Sequence, residues 1–128
     1  QHPQLLGLKI LLVEDPLFNT RLIQAIFANS GINLTATENG QEAVDKLQTD
    51  EFDLILMDIQ MPVMDGYQAT KYIRNEMKSN IPIIAITAHA MVGEREKCLQ
   101  AGMTDYLTKP IDLDLLFEKI YSVAVTLH

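Results

Sequence analysis

Five short apolar runs, rich in β-branched residues, alternate with stretches of helical periodicity, and this alternation limits the fold more than any other feature. The runs cover 8–13, 32–37, 53–57, 81–87 and 104–108. The first, third and fourth are almost continuously hydrophobic, with Lys9 the main exception in the first. Strands covered on both faces of a parallel sheet read this way. The second and fifth runs are more mixed, as sheet edges are. Between the runs, Pro16 sits in first-turn position after Asp15, and Leu22, Ile23, Ile26 and Phe27 form one apolar face closed by Gly31. Residues 41–48 carry Ala43, Val44 and Leu47 at helical spacing, and 66–77 carry Ala69, Tyr72, Ile73 and Met77. Residues 90–100 make the most polar helix, and after Asp112 a last helix turns Leu113, Leu116, Phe117, Ile120 and Val123 inward. This order predicts an α/β fold. Right-handed crossovers then favour a five-stranded parallel sheet, doubly wound in the order 2-1-3-4-5, with five helices.

The 128 residues fit one domain, with 1–7 expected to be a linker remnant of a longer protein and 8–128 the folded unit. No apolar run approaches the ~20 residues of a membrane helix, and residues 1–7 carry neither the charged nor the apolar stretch of a signal peptide. A net charge of −7 argues against direct nucleic-acid binding, which depends on Lys and Arg. The single Cys98 excludes an intramolecular disulfide, suits a reducing compartment and reads as a packing residue. No Cys/His zinc spacing is present.

In a doubly wound sheet, ligands bind outside the carboxyl ends of the strands. The first run ends in Glu14 and Asp15, the third in Asp58, the fourth in Thr87, and the fifth leads into Lys109. Alone, each acidic residue is ordinarily a cap or a turn former, the threonine structural and the lysine solvated; together they gather five polar groups at one end of the sheet. Three crowded carboxylates repel and need compensation. Oxygen-only ligands suit a hard divalent cation such as Mg²⁺, and Lys109 adds a fixed positive charge. Such a rim suits phosphoryl transfer, with a carboxylate able to act as nucleophile.

Four stretches then carry a resemblance: ILLVED over 10–15, MDIQMPVMDG over 57–66, IIAITA over 83–88 and DYLTKP over 105–110. With all four in order at the strand ends, the sequence resembles the receiver domain of two-component response regulators, whose fold is flavodoxin-like. The resemblance implies that Asp58 is the phosphoacceptor. It implies Mg²⁺, with Mn²⁺ as its substitute, bound by Asp15, by Glu14 largely through water, by Asp58 and by the backbone carbonyl of Gln60. Thr87 and Lys109 would contact phosphoryl oxygens, and a cis peptide is expected between Lys109 and Pro110. Thr87 and Tyr106 would form the switch, acting on the face built from the fourth helix, fifth strand and fifth helix.

The family places Asn after the acidic pair where this chain has Pro16, which removes an amide N–H and a polar side chain next to the metal ligands; Asn19 keeps the pattern. His89 reads as an exposed helix-start residue, and Met57, Met61 and Met64 as packing. An aspartyl-phosphate phosphatase would want a second Asp two residues after the nucleophile, where Gln60 stands. A flavodoxin-like cofactor binder would want a Gly/Ser/Thr-rich first loop, and a docking module would have lost one of the acidic, Thr or Lys positions. The resemblance points to a signalling module, most like the receiver of a hybrid sensor histidine kinase, with a free-standing or transcription-linked regulator as the alternative. Its implied partners are a kinase phosphohistidine domain or a histidine phosphotransfer domain. It also implies a cytoplasmic domain without membrane contact of its own, even where the parent protein is membrane-anchored.

Overall fold

In a computed structural model, the described residues are 7–14, 24, 25, 27, 28, 31–59, 64–87, 92–109 and 111–127. Five parallel strands form one sheet: β1 (Lys9–Val13), β2 (Asn33–Thr37), β3 (Leu54–Asp58), β4 (Ile83–Thr87) and β5 (Asp105–Thr108). They are ordered β2-β1-β3-β4-β5, so the expected topology holds and the two mixed runs are the edges. Four helices are described between and after them: α1 (Gly40–Thr49), α2 (Gly66–Asn75), α3 (Glu94–Ala101) and α4 (Leu113–Leu127). Of the expected first helix, Gln24, Ala25 and Phe27 are helical, while Pro16, Asn19, Leu22, Ile23 and Ile26 lie outside the described residues.

Strand side chains alternate between two faces, and each face is sealed by helices. On one face Ile10, Leu12, Leu54, Leu56, Ile84, Ile86 and Leu107 pack against Phe27 and against Leu116 and Ile120 of α4. On the other, Leu11, Val13, Ile55, Met57, Ile83 and Ala85 meet Ala43 and Val44 of α1, Ala69 and Ile73 of α2 and Cys98 of α3. Every residue of β3 and β4 is buried. This double cover explains why the central runs lack alternation in sequence.

Helix starts follow local chemistry. Asn39 accepts from the Glu42 amide to cap α1. Asp65 and Gln68 form a reciprocal capping box at α2. At α3, Gly93 takes the left-handed conformation (φ 86°) and caps the helix, which begins at Glu94, inside the expected 90–100 span but later than its first residue; 90 and 91 are not described. Strand β4 starts at Ile83 rather than 81, with Pro82, which has no N–H to donate, outside it. Two expected core residues point outward: Tyr72 is 38% exposed and Leu113 42%. On α2 the inward place is taken by Thr70, whose hydroxyl donates to the Gly66 carbonyl at 2.8 Å and so satisfies itself within the helix.

Gly66 ties the loop after β3 to the strand end. Its amide donates to the Ile59 carbonyl at 2.9 Å. A Cβ at Gly66 would lie 2.7 Å from the Asp58 carbonyl oxygen and 2.8 Å from Ile59 Cα, both backbone atoms that cannot swing aside. Gly66→Ala is therefore expected to cost about 1–3 kcal/mol of stability in urea denaturation, the magnitude of an overpacked site.

Candidate functional site

The sheet register brings the polar residues to one rim. Val13 pairs with Met57, which places Glu14 level with Asp58. Asp58 pairs with Ile86, and Thr87 with Thr108, so Lys109 stands one residue beyond β5. Backbone bonds fix these ends: the Glu14 amide donates to the Thr37 carbonyl at 3.1 Å, and the Lys109 amide to the Thr87 carbonyl at 2.7 Å.

At this rim the Lys109 Nζ donates to Asp58 Oδ2 at 3.1 Å and lies 3.6 Å from Glu14 Oε2. The carboxylate side chains are almost wholly buried, 3% exposed for Asp58 and 1% for Glu14, while that of Lys109 is 20% exposed. Among the described residues, the two carboxylates and the one ammonium sum formally to one negative charge in a largely buried site. Burying charge is costly unless it is paired. A further cation of hard, oxygen-seeking type fits this donor set, since both ligating groups here are carboxylates. The expected members Asp15 and the Gln60 carbonyl lie outside the described residues, as does Pro110 with the expected cis peptide. Pro16, Asn19, His89 and Met61 lie outside them too.

Thr87 is fully buried at the end of β4. Its hydroxyl donates to Glu94 Oε1, on the first turn of α3, at 3.4 Å. The same oxygen accepts from the Tyr67 hydroxyl of α2 at 3.0 Å. That hydroxyl is also 3.9 Å from the sulfur of buried Cys98, and Lys97 Nζ sits 4.7 Å above the Tyr67 ring. Burial, and then the contacts with Glu94 and Cys98, push the Tyr67 phenol well above its ordinary value, so it stays a hydrogen-bond donor to Glu94. Burial likewise pushes the Cys98 thiol up, in keeping with its reading as a packing residue. Tyr106 is half-buried on β5, against the core layer that holds Met57 and Cys98.

The structure thus brings Glu14, Asp58 and Lys109 together, and sets Thr87 on the neighbouring strand end. The sequence reading missed Glu94 and Tyr67. The available signal was a Gly-Glu pair opening the helix after the fourth strand, and an aromatic residue directly after the Asp65-Gly66 start of α2. Neither has a spacing that marks it out, because their contact crosses 27 residues of chain.

The sequence matches the family described as response regulator receiver domain over residues 10–121. The sensor protein GacS of Pseudomonas syringae pv. syringae is 48% identical over 107 residues, which is 80% of this chain and 12% of that protein. The chain therefore spans about an eighth of that relative's length. Among solved structures, the receiver domain of the sensor histidine kinase PA1611 from Pseudomonas aeruginosa superposes with a TM-score of 0.82 at 44% identity, covering 92% of this chain and 98% of that one. That crystal structure has a magnesium ion coordinated in its active-site cleft. The receiver domain of Ssk1 from Saccharomyces cerevisiae, solved with the histidine phosphotransfer protein Ypd1, gives a TM-score of 0.87 at 32% identity, covering 94% and 91%. With these motifs at the rim of this sheet, the chain belongs to the response regulator receiver domains of two-component signalling.

Proposed function

We propose that Asp58 accepts a phosphoryl group from a phosphohistidine, with Mg²⁺ held at the rim. The observation that carries this reading is the buried pair of carboxylates, Glu14 and Asp58, sharing the Lys109 ammonium at 3.6 and 3.1 Å. Asp58 is the nucleophile: a carboxylate oxygen forms a bond to phosphorus as the phosphorus–nitrogen bond breaks, and the imidazole leaves with the electron pair. The product is an acyl phosphate on Asp58. Lys109, already within hydrogen-bond reach of Asp58, neutralises charge on the transferring oxygens. Thr87 supplies a hydroxyl for a phosphoryl oxygen, and the half-buried Tyr106 follows its movement. Glu14, with Asp15 and the Gln60 carbonyl, would hold the metal, with Mn²⁺ as a substitute. Bound there, the ion would supply charge neutralisation and in-line orientation.

As part of a longer protein, this receiver would serve a hybrid sensor histidine kinase. The support is its alignment within a sensor protein and its likeness to the receiver of a sensor histidine kinase. The donor would be a kinase phosphohistidine or a histidine phosphotransfer domain, in the manner of the Ssk1 receiver with Ypd1. A cytoplasmic placement follows from that role. No described helix is long and apolar enough to cross a membrane.

Acetyl phosphate tests the chemistry without a partner. With Mg²⁺ the intact protein should gain the mass of one phosphoryl group, and Asp58→Asn should gain none; equal uptake by both would refute the assignment. Chelation with EDTA should abolish uptake. Lys109→Met should keep the fold, since its side chain is part-exposed, yet slow uptake by roughly 10²-fold.

A further inference from the structure

A hydroxyl has one hydrogen to donate. The Thr87 hydroxyl gives its hydrogen to Glu94 Oε1 at 3.4 Å, so it cannot at the same time donate to a phosphoryl oxygen on Asp58. Glu94 does not reach this position by chance of rotamer. The Tyr67 hydroxyl holds the same oxygen at 3.0 Å, and Lys97 packs over the Tyr67 ring. Tyr67 itself stands next to Gly66, whose backbone packs against the Asp58 carbonyl. We propose that Glu94, anchored by Tyr67, is a positioning residue: it is the competing acceptor that Thr87 must leave before its hydroxyl can reach the phosphoryl group. This inference rests on the reading of Asp58 as the phosphoacceptor.

The geometry sets the size of the effect. A bond of 3.4 Å between oxygens is long and weak, whereas the Tyr67 bond is well formed. Thr87 is therefore held loosely by a firmly held partner, which suits a contact broken once per signalling event. The contact also couples the site to α3. When Thr87 leaves, Glu94 loses one of the two hydrogen bonds it receives from described side chains, and the first turn of α3, opened by left-handed Gly93, is freed to shift. Removing the acceptor shifts the equilibrium toward the conformation that binds phosphoryl, by no more than the energy of the lost bond.

The test is a titration with beryllofluoride and Mg²⁺, followed by NMR of the Thr87 methyl and backbone amides. Glu94→Ala should bind about two- to fivefold more tightly than wild type, and its Thr87 methyl signal should already differ before ligand is added. Glu94→Gln removes the charge but keeps an acceptor oxygen, and should stay close to wild type. In a Thr87→Ala background, Glu94→Ala should have no effect on affinity. Equal tightening by Glu94→Gln and Glu94→Ala, persisting in Thr87→Ala, would show simple charge removal and overturn the proposal. An unchanged Thr87 methyl signal in unliganded Glu94→Ala would overturn it as well. A wild type that takes up no beryllofluoride would refute the Asp58 reading and this inference with it, whereas normal wild-type uptake with an unresponsive Glu94→Ala would refute this inference alone.

Discussion

Everything at the functional end of this domain depends on one ammonium group set between two buried carboxylates. From the strand end beyond β5, Lys109 reaches past β4 to Asp58 at the end of β3, and on toward Glu14 at the end of β1. Such a group is poor value as a stabilising device, since buried ion pairs are often replaced by apolar residues without loss. Its place at the ends of strands whose other residues are buried and mostly apolar fits the proposed chemistry better than a role in stability. The sheet supplies the rigidity: with both faces sealed, the strand ends cannot drift apart, and the carboxylates are held near one another despite their repulsion.

The same packing offers a route by which an event at one carboxylate would be felt elsewhere. Gly66 brings the start of α2 into contact with the backbone of Asp58, and the next residue, Tyr67, reaches Glu94 on α3. Thr87 reaches the same carboxylate from β4. Three elements thus meet at Glu94 Oε1 within a closely packed layer. Interiors of this kind respond by exchanging discrete contacts rather than by gradual deformation.

Much of this was legible in the sequence because its causes are local. Continuous apolar runs marked the covered strands β1, β3 and β4, and mixed runs marked the edges β2 and β5. Residues at the ends of those runs had to share a rim once the strands were parallel, so Asp58, Glu14 and Lys109 could be placed together from the sequence, though not their ion pairs. Other features were not local. Tyr72 and Leu113 fit the helical period but lie on the margin of the buried stripe, where period alone does not decide exposure. Thr70 is buried because its hydroxyl finds a partner one turn back, which hydrophobicity does not register. Glu94 and Tyr67 became visible only when α2 and α3 were placed side by side.

The central claim is that Asp58, and no other carboxylate, carries the phosphoryl group. An acyl phosphate is reduced by borohydride to an alcohol, which converts an aspartyl phosphate to homoserine. Protein treated with acetyl phosphate and Mg²⁺, then reduced and mapped by peptide mass spectrometry, should contain homoserine at position 58 alone. Homoserine at another aspartate, or none where the intact mass shows phosphoryl uptake, would contradict the account.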